Sequence, residues 1–115
     1  MSSCINAKEE LLEIINKIKT AYGAEVLCAS INFDNEVIEL NKGYIEEEFD
    51  FFLSRLDFEY QNGYGIQGLF GVVWLTNGVW LDRGEYDGAE WWEHHVYPQI
   101  PYNLLINESV NSLNP

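Results

Sequence analysis

Residues 69–97 read LFGVVWLTNGVWLDRGEYDGAEWWEHHVY, and this stretch decides the fold. Its runs of β-branched and aromatic residues are separated by Asn77-Gly78 and Asp87-Gly88, dipeptides that strongly favour tight β-hairpin turns. The stretch therefore predicts three consecutive antiparallel strands. Two-residue turns would set the register by pairing Leu75 with Trp80, Trp74 with Leu81 and Tyr86 with Ala89.

The residues before this meander predict two helices and a further hairpin. Apolar residues recur at helical spacing within 7–22, where Asn6 and Glu9 form a capping pair and Gly23 ends the helix. Residues 25–33 and 36–40 predict two strands joined at Asp34-Asn35, with Leu27, Ala29, Ile31 and Phe33 on one side of the first strand. A second amphipathic helix follows Gly43.

The fold prediction is an α+β domain over residues 1–115, with a mostly antiparallel sheet, two helices packed on one face and the order αββαββββ. Residues 58–60 supply the remaining strand, and the tail 103–115 is expected to be loosely ordered. The predicted core takes one apolar side of each element: Leu11, Ile15, Ile18, Leu27, Ile31, Phe49, Phe52, Leu53, Leu56, Val73 and Leu75.

The charge is strongly acidic, because nineteen Asp and Glu face six Lys and Arg, for a net charge of −13. Such a surface repels nucleic acid and anionic membranes and attracts basic partners. Two cysteines are too few for a disulfide framework, no apolar run is long enough to span a bilayer, and the first residues do not resemble a signal peptide. These features predict a cytoplasmic protein.

Segment 80–95 mixes acids, aromatic residues, Arg83 and both histidines, and several kinds of site compete there. A metal-dependent enzyme could use His94 or His95 at a metal site with Asp87, Glu90 or Glu93, but adjacent histidines on a strand point to opposite faces. No nucleophile or phosphate-binding motif is present, so the sequence predicts neither an enzyme nor a cofactor. Arg83 is expected to stack on a Trp and to pair with Glu85 or Glu93.

The aromatic residues leave two further interpretations open. Trp74, Trp80, Trp91 and Trp92 could form a stacking platform, and a module that binds a carbohydrate or another small molecule would be built on Trp80, Trp91 and Trp92, although alternation sends adjacent residues to opposite faces. An exposed aromatic strand could instead pair with its copy in a homodimer.

The preferred interpretation is a non-enzymatic acidic protein that inhibits a basic, nucleic-acid-binding protein by imitating the phosphates of nucleic acid. Eight acids crowd residues 36–60, and more lie in segment 80–95. The predicted partner-binding residues are Glu36, Glu39, Glu46, Glu47, Glu48, Asp50, Asp57, Glu59, Asp82, Glu85, Asp87, Glu90, Trp91 and Glu93.

Residues 80–92 read WLDRGEYDGAEWW, and this segment resembles a small family of uncharacterised proteins of bacteriophages and bacteria. The resemblance carries no assigned activity. It implies a phage accessory protein, a class that includes small acidic inhibitors of host defence, which would act in the cytoplasm of the host.

Overall fold

The computed structural model describes residues 4–63 and 66–105 and has an α+β fold. Within these residues, three helices and seven strands follow one another as β1 Cys4–Asn6, α1 Ala7–Tyr22, β2 Val26–Phe33, β3 Glu36–Leu40, α2 Glu46–Arg55, β4 Glu59–Gln61, β5 Leu69–Leu75, β6 Val79–Tyr86, β7 Ala89–Val96 and α3 Tyr102–Leu105. Five of the strands form one antiparallel sheet in the order β3-β2-β5-β6-β7, and β1 pairs with β4 in a separate ribbon.

The helices begin and end where the sequence predicts. Asn6 caps α1, because its side-chain oxygen accepts a hydrogen bond of 3.0 Å from the backbone N–H of Glu9. Gly23 ends the helix in the left-handed conformation. In α2, the carboxylate of Glu48 accepts a hydrogen bond of 2.9 Å from the N–H of Ile45, so one of its three first-turn acids stabilises the helix start directly.

Both long helices pack on the same face of the five-stranded sheet, which confirms the predicted architecture. Their apolar sides join the inward side chains of the sheet in one core, which includes Leu11, Ile15, Ile18, Ile31, Ile38, Leu40, Phe52, Leu56, Leu69, Val73, Leu75, Val79 and Leu81. Phe49 and Leu53 are partly buried against it. Leu27 is only half-buried, because a bulge between Val26 and Cys28 turns Val26 into the core instead.

Both predicted turns in the meander are present, but the register of the first is shifted by one residue. Asn77 and Gly78 have positive φ, as a tight turn requires. The observed pairs are Trp74 with Trp80 and Val73 with Leu81, so the predictions that Leu75 faces Trp80 and that Trp74 faces Leu81 are both wrong. The second hairpin pairs Tyr86 with Ala89 as predicted.

The shift has a physical cause in the alternation of side chains. In the predicted register Asp82 would lie opposite Val73 and point into the core, whereas the observed register pairs Asp82 with Val72 on the outer face. Thr76 becomes part of the loop and bonds to Glu25, donating its N–H to that residue's carbonyl at 2.8 Å and accepting from its N–H at 2.9 Å.

Two short elements were not predicted. The first is β1, which precedes α1 and pairs with β4 in a separate ribbon. The strand β4 was predicted, but it therefore lies outside the main sheet. The second is α3. Residues 102–105 form the single turn of α3 at the start of the predicted loose tail, whose residues 106–115 lie outside the described part of the chain. No helix within the described residues is long and apolar enough to cross a membrane.

Candidate functional site

The face of the sheet opposite the helices carries a mixture of aromatic and acidic side chains, and we call it the open face. Within the described residues, no long helix packs on it. Strand alternation and register assign to it Cys28, Ser30, Asn32, Val37, Glu39, Phe70, Val72, Trp74, Trp80, Asp82, Gly84, Tyr86, Trp91, Glu93 and His95, with Tyr97 following at the end of β7.

Large aromatic side chains on the open face are accessible to solvent. Phe70 is 49% exposed, Trp74 43% and Trp91 38%, and Tyr86 and Tyr97 are more exposed still. Large exposed apolar side chains that share one face of a sheet are typical of binding surfaces. The aromatic part of the open face therefore has the composition of an interface core, where Trp and Tyr are enriched.

Trp91 is held flat on the sheet by the glycine opposite it. Gly84 is its cross-strand partner, and a Cβ atom added to Gly84 would lie 2.6 Å from Nε1 of the Trp91 ring. An aromatic ring that covers a strand glycine in this way is a recurrent feature of β-sheets. The ring of Trp91 thus lies over the backbone of Gly84 on the open face.

Carboxylates lie among these rings. Asp82 and Glu93 are cross-strand partners at the centre of the β6–β7 pair. An oxygen of Asp82 lies 2.7 Å from Nε2 of His95, and the His95 ring stacks on Trp80 with 4.2 Å between ring centroids. Glu39 is on the same face at the outer strand β3.

The basic residues are all placed elsewhere. All six lie within the described part of the chain: Lys8, Lys17 and Lys19 in α1, Lys42 after β3, Arg55 in α2 and Arg83 on the core side of β6. No Lys or Arg among the described residues has a register position on the open face. No Lys or Arg on that face therefore neutralises its carboxylates, and the basic side chain beside Asp82 is His95.

Arg83 forms the centre of a buried ion cluster beneath the open face. Its Nη2 donates to Glu90 at 2.8 Å and to the Tyr60 hydroxyl at 2.6 Å, and its Nη1 lies 3.4 Å from a carboxylate oxygen of Glu10. The guanidinium also stacks over the Trp92 ring, 4.9 Å from its centroid. The prediction of a Trp beneath Arg83 is confirmed, but its acidic partners are Glu90 and Glu10 and not Glu85 or Glu93.

The prediction that Glu90 binds a partner is wrong, because this residue is buried and has a structural role. It is 2% exposed, and besides Arg83 it accepts hydrogen bonds from the backbone N–H groups of Gly68 and Leu69 at 2.9 and 3.1 Å. Its carboxylate therefore ties the start of β5 to β6 and β7, out of reach of a partner.

Tyr60 shares the cluster and donates its hydroxyl hydrogen to Glu10. Burial, followed by this hydrogen bond to a carboxylate, raises the pKa of Tyr60 well above its ordinary value of 10.0, against the opposing effect of Arg83. Below about pH 10 the hydroxyl is protonated in both the folded and the unfolded chain, and its contribution to stability is fully present.

A Tyr60→Phe variant should therefore lose stability less steeply than the wild-type protein above pH 10. There the unfolded chain releases the Tyr60 proton while the folded chain keeps it, which costs the wild type about 1.4 kcal/mol per pH unit. Urea unfolding from about pH 8 to about pH 11 measures both slopes, and Tyr86→Phe, at an exposed position, is the matched control. Parallel slopes for Tyr60→Phe and wild type would contradict the assignment. Burial also raises the pKa of Tyr44. Because Tyr44 is present in both the wild type and Tyr60→Phe, it contributes equally to the two slopes.

The remaining predicted partner-binding residues divide between separate surfaces. Glu39, Asp82, Trp91 and Glu93 lie on the open face, and Glu85 and Asp87 lie at the tip of the β6–β7 hairpin beside it. Glu46, Glu47, Glu48 and Asp50 are exposed on α2, in the helical layer. Others are paired or lie in the ribbon: Glu36 bonds to Arg55 at 3.0 Å, Asp57 to Asn6 at 2.9 Å, and Glu59 lies in β4.

The two histidines lie on opposite sides of the sheet, as alternation requires. His95 is on the open face, whereas the His94 ring lies 3.4 Å from the Tyr22 hydroxyl of α1. They do not share one ion in this geometry. Within the described residues, no three His, Cys, Asp or Glu side chains are grouped as metal ligands would be.

Neither a protein-family model nor a curated protein nor a solved structure matches this chain.

Proposed function

We propose that this chain is a non-enzymatic binding protein whose open face engages a basic surface of a nucleic-acid-binding protein and inhibits it. One observation carries the proposal: exposed Trp74, Trp91 and Phe70 lie on one sheet face together with carboxylates and with no Lys or Arg among the described residues. Aromatic anchors supply affinity at the centre of an interface, and complementary charge supplies partner choice and speed of association.

The charge favours a basic protein over nucleic acid as the partner. A net charge of −13 opposes contact with phosphates, which proteins bind through Lys and Arg. Carboxylates held at fixed spacing by neighbouring strands can occupy the positions where such a partner binds phosphates. A protein covering that site would inhibit its partner by exclusion, with no chemistry of its own.

The acids of α2 have a different role in this proposal. Glu46, Glu47 and Glu48 are exposed at the helix start, in the layer behind the sheet. They contribute to the field that attracts a basic partner, and salt screens this contribution. They do not touch the partner when the open face is engaged.

A pull-down with matched variants tests the proposal. The wild-type chain, a Trp74→Ala/Trp91→Ala variant and a Glu46→Gln/Glu47→Gln/Glu48→Gln variant are immobilised and exposed to a lysate of the cells in which the protein occurs. We expect a basic nucleic-acid-binding protein to be retained by the wild type, and the open-face variant to weaken its binding by at least about 30-fold, because truncated Trp anchors cost about 2 kcal/mol or more. The α2 variant should mainly lower the association rate.

The opposite pattern would overturn the proposal. If the α2 variant loses the partner while the open-face variant retains it, α2 is the contact surface. Because the substituted side chains are exposed, we expect both variants to fold, and circular dichroism checks this.

A second candidate function is the binding of a carbohydrate or another small molecule. It is favoured by a depression of about 330 Å³ on the open face, lined by Val72, Trp74, Trp80 and Tyr97. Salt separates the two candidates, because binding through charge weakens steeply as ionic strength rises and stacking on a neutral sugar does not.

A further inference from the structure

The depression on the open face is built by three aromatic side chains on adjacent strands. Trp74 of β5 and Trp80 of β6 are directly opposite each other, and Tyr97 follows β7 on the same face. The backbone N–H of Tyr97 donates to Gly78 at 2.9 Å, which keeps the end of this strand in place. Val72 forms the remaining wall.

Negative charge borders this aromatic depression on one side. Asp82 lies opposite Val72, two register positions from Trp74 and Trp80 and therefore in the next pair on the same face, and Glu93 lies opposite Asp82. His95 lies against one oxygen of Asp82 and stacks on Trp80, so it fixes both the carboxylate and the ring. The Asp82 side chain remains 38% exposed and can accept further hydrogen bonds.

We propose that this depression receives a single guanidinium group, the side chain of an arginine on the basic partner. This inference rests on the proposed function and specifies one contact between the open face and the basic partner. A guanidinium stacks on aromatic rings, is weakly hydrated, and bonds a carboxylate through two parallel N–H groups. Aromatic walls beside a fixed carboxylate match all three properties. A lysine ammonium, which is compact and strongly hydrated, matches only the charge.

A second copy of the chain is a poorer donor of that guanidinium. Its Arg83 is buried in the ion cluster, and its Arg55 is bound to Glu36 at 3.0 Å. Two chains of charge −13 also repel each other. The arginine is therefore assigned to a different, basic protein.

Small probes test the site without the partner. N-acetyl-arginine-N-methylamide is titrated into the full chain, and the indole N–H resonances of the four Trp residues are followed by NMR. Trp74 and Trp80 should shift, and buried Trp92 should not. The citrulline analogue, equal in shape and uncharged, should bind at least about tenfold more weakly, as should arginine with Trp74→Leu or with Asp82→Asn.

The lysine analogue, titrated in the same way, is a further control. Four results would overturn the inference: no shift at Trp74 and Trp80, binding of the citrulline analogue as tight as that of the arginine probe, binding of the lysine analogue as tight or tighter, or Trp shifts that depend on protein concentration in the absence of any probe. The last result would show that a second copy covers the face. If the arginine probe does not bind but the Trp74→Ala/Trp91→Ala variant still captures less partner than the wild type, only this inference fails. If the probe does not bind and the variant captures the partner as well as the wild type does, the proposed function fails too.

Discussion

Replacing Glu90 with Ala should destabilise the protein by about 3–5 kcal/mol and lower its melting temperature by roughly 10–20 °C. The substitution leaves the Arg83 guanidinium in the core with Glu10 at 3.4 Å as its remaining acidic partner. It also removes the acceptor for the N–H groups of Gly68 and Leu69. A buried charge that has lost its nearer acidic partner and two orphaned donors each carry a desolvation cost.

Glu93→Ala is the matched control, since Glu93 is on the same strand but on the open face, and its loss should change stability by less than about 0.5 kcal/mol. Glu90→Gln should fall between the two, because its amide oxygen still accepts a hydrogen bond. Urea unfolding at neutral pH gives all three values. A cost below about 1 kcal/mol for Glu90→Ala would contradict the structural role of the ion cluster.

Replacing Phe52 with Ala should also cost about 3–5 kcal/mol, because the side chain is 2% exposed and joins α2 to the sheet. The neighbouring Phe51 provides an unusually close control, since it is 65% exposed on the same helix. Phe51→Ala removes the same atoms from solvent-facing positions and should change stability by less than about 0.5 kcal/mol. Chemical unfolding of both variants measures the difference. Equal losses would mean that α2 is rotated from its described orientation.

Local signals in the sequence predict most of the fold. Asn6, Gly23 and the hairpin dipeptides act through their own backbone conformations or nearest hydrogen bonds, so they can be recognised one at a time. The register of β5 with β6 is different, because it depends on which side of each strand faces the assembled core, and it is accompanied by bonds from Thr76 to Glu25, a residue about fifty positions away. The pairing of β1 with β4 similarly joins the two ends of a long stretch of chain.

The open face was only partly predictable. Alternation alone places Trp91 and Trp92 on opposite faces of the sheet, and likewise Trp80 and Leu81. Which of the two faces packs against the helices depends on the apolar residues of all the strands together. Phe70 and Tyr97 were not predicted to be binding residues, although Phe70, like Trp74, alternates with buried Leu69, Val73 and Leu75. That alternation was the available signal.

The ion cluster could not be derived from the sequence, because Glu10, Tyr60, Arg83 and Glu90 come from four separate elements. One indication was present: Arg83 is two residues from buried Leu81, which places a charged residue on the core side of β6. A charge at such a position requires buried partners, and among nineteen acids the sequence does not identify them.

Hydroxyl-radical footprinting of the chain, free and bound to its captured basic partner, tests most directly that the open face is the binding surface. Radicals oxidise exposed aromatic side chains, and the chain carries probes on both surfaces: Trp74, Trp91 and Phe70 on the open face and Phe51 on α2. We expect binding to protect the three open-face residues and to leave Phe51 as reactive as in the free protein. Protection of Phe51 with Trp74 and Trp91 still oxidised would contradict the account.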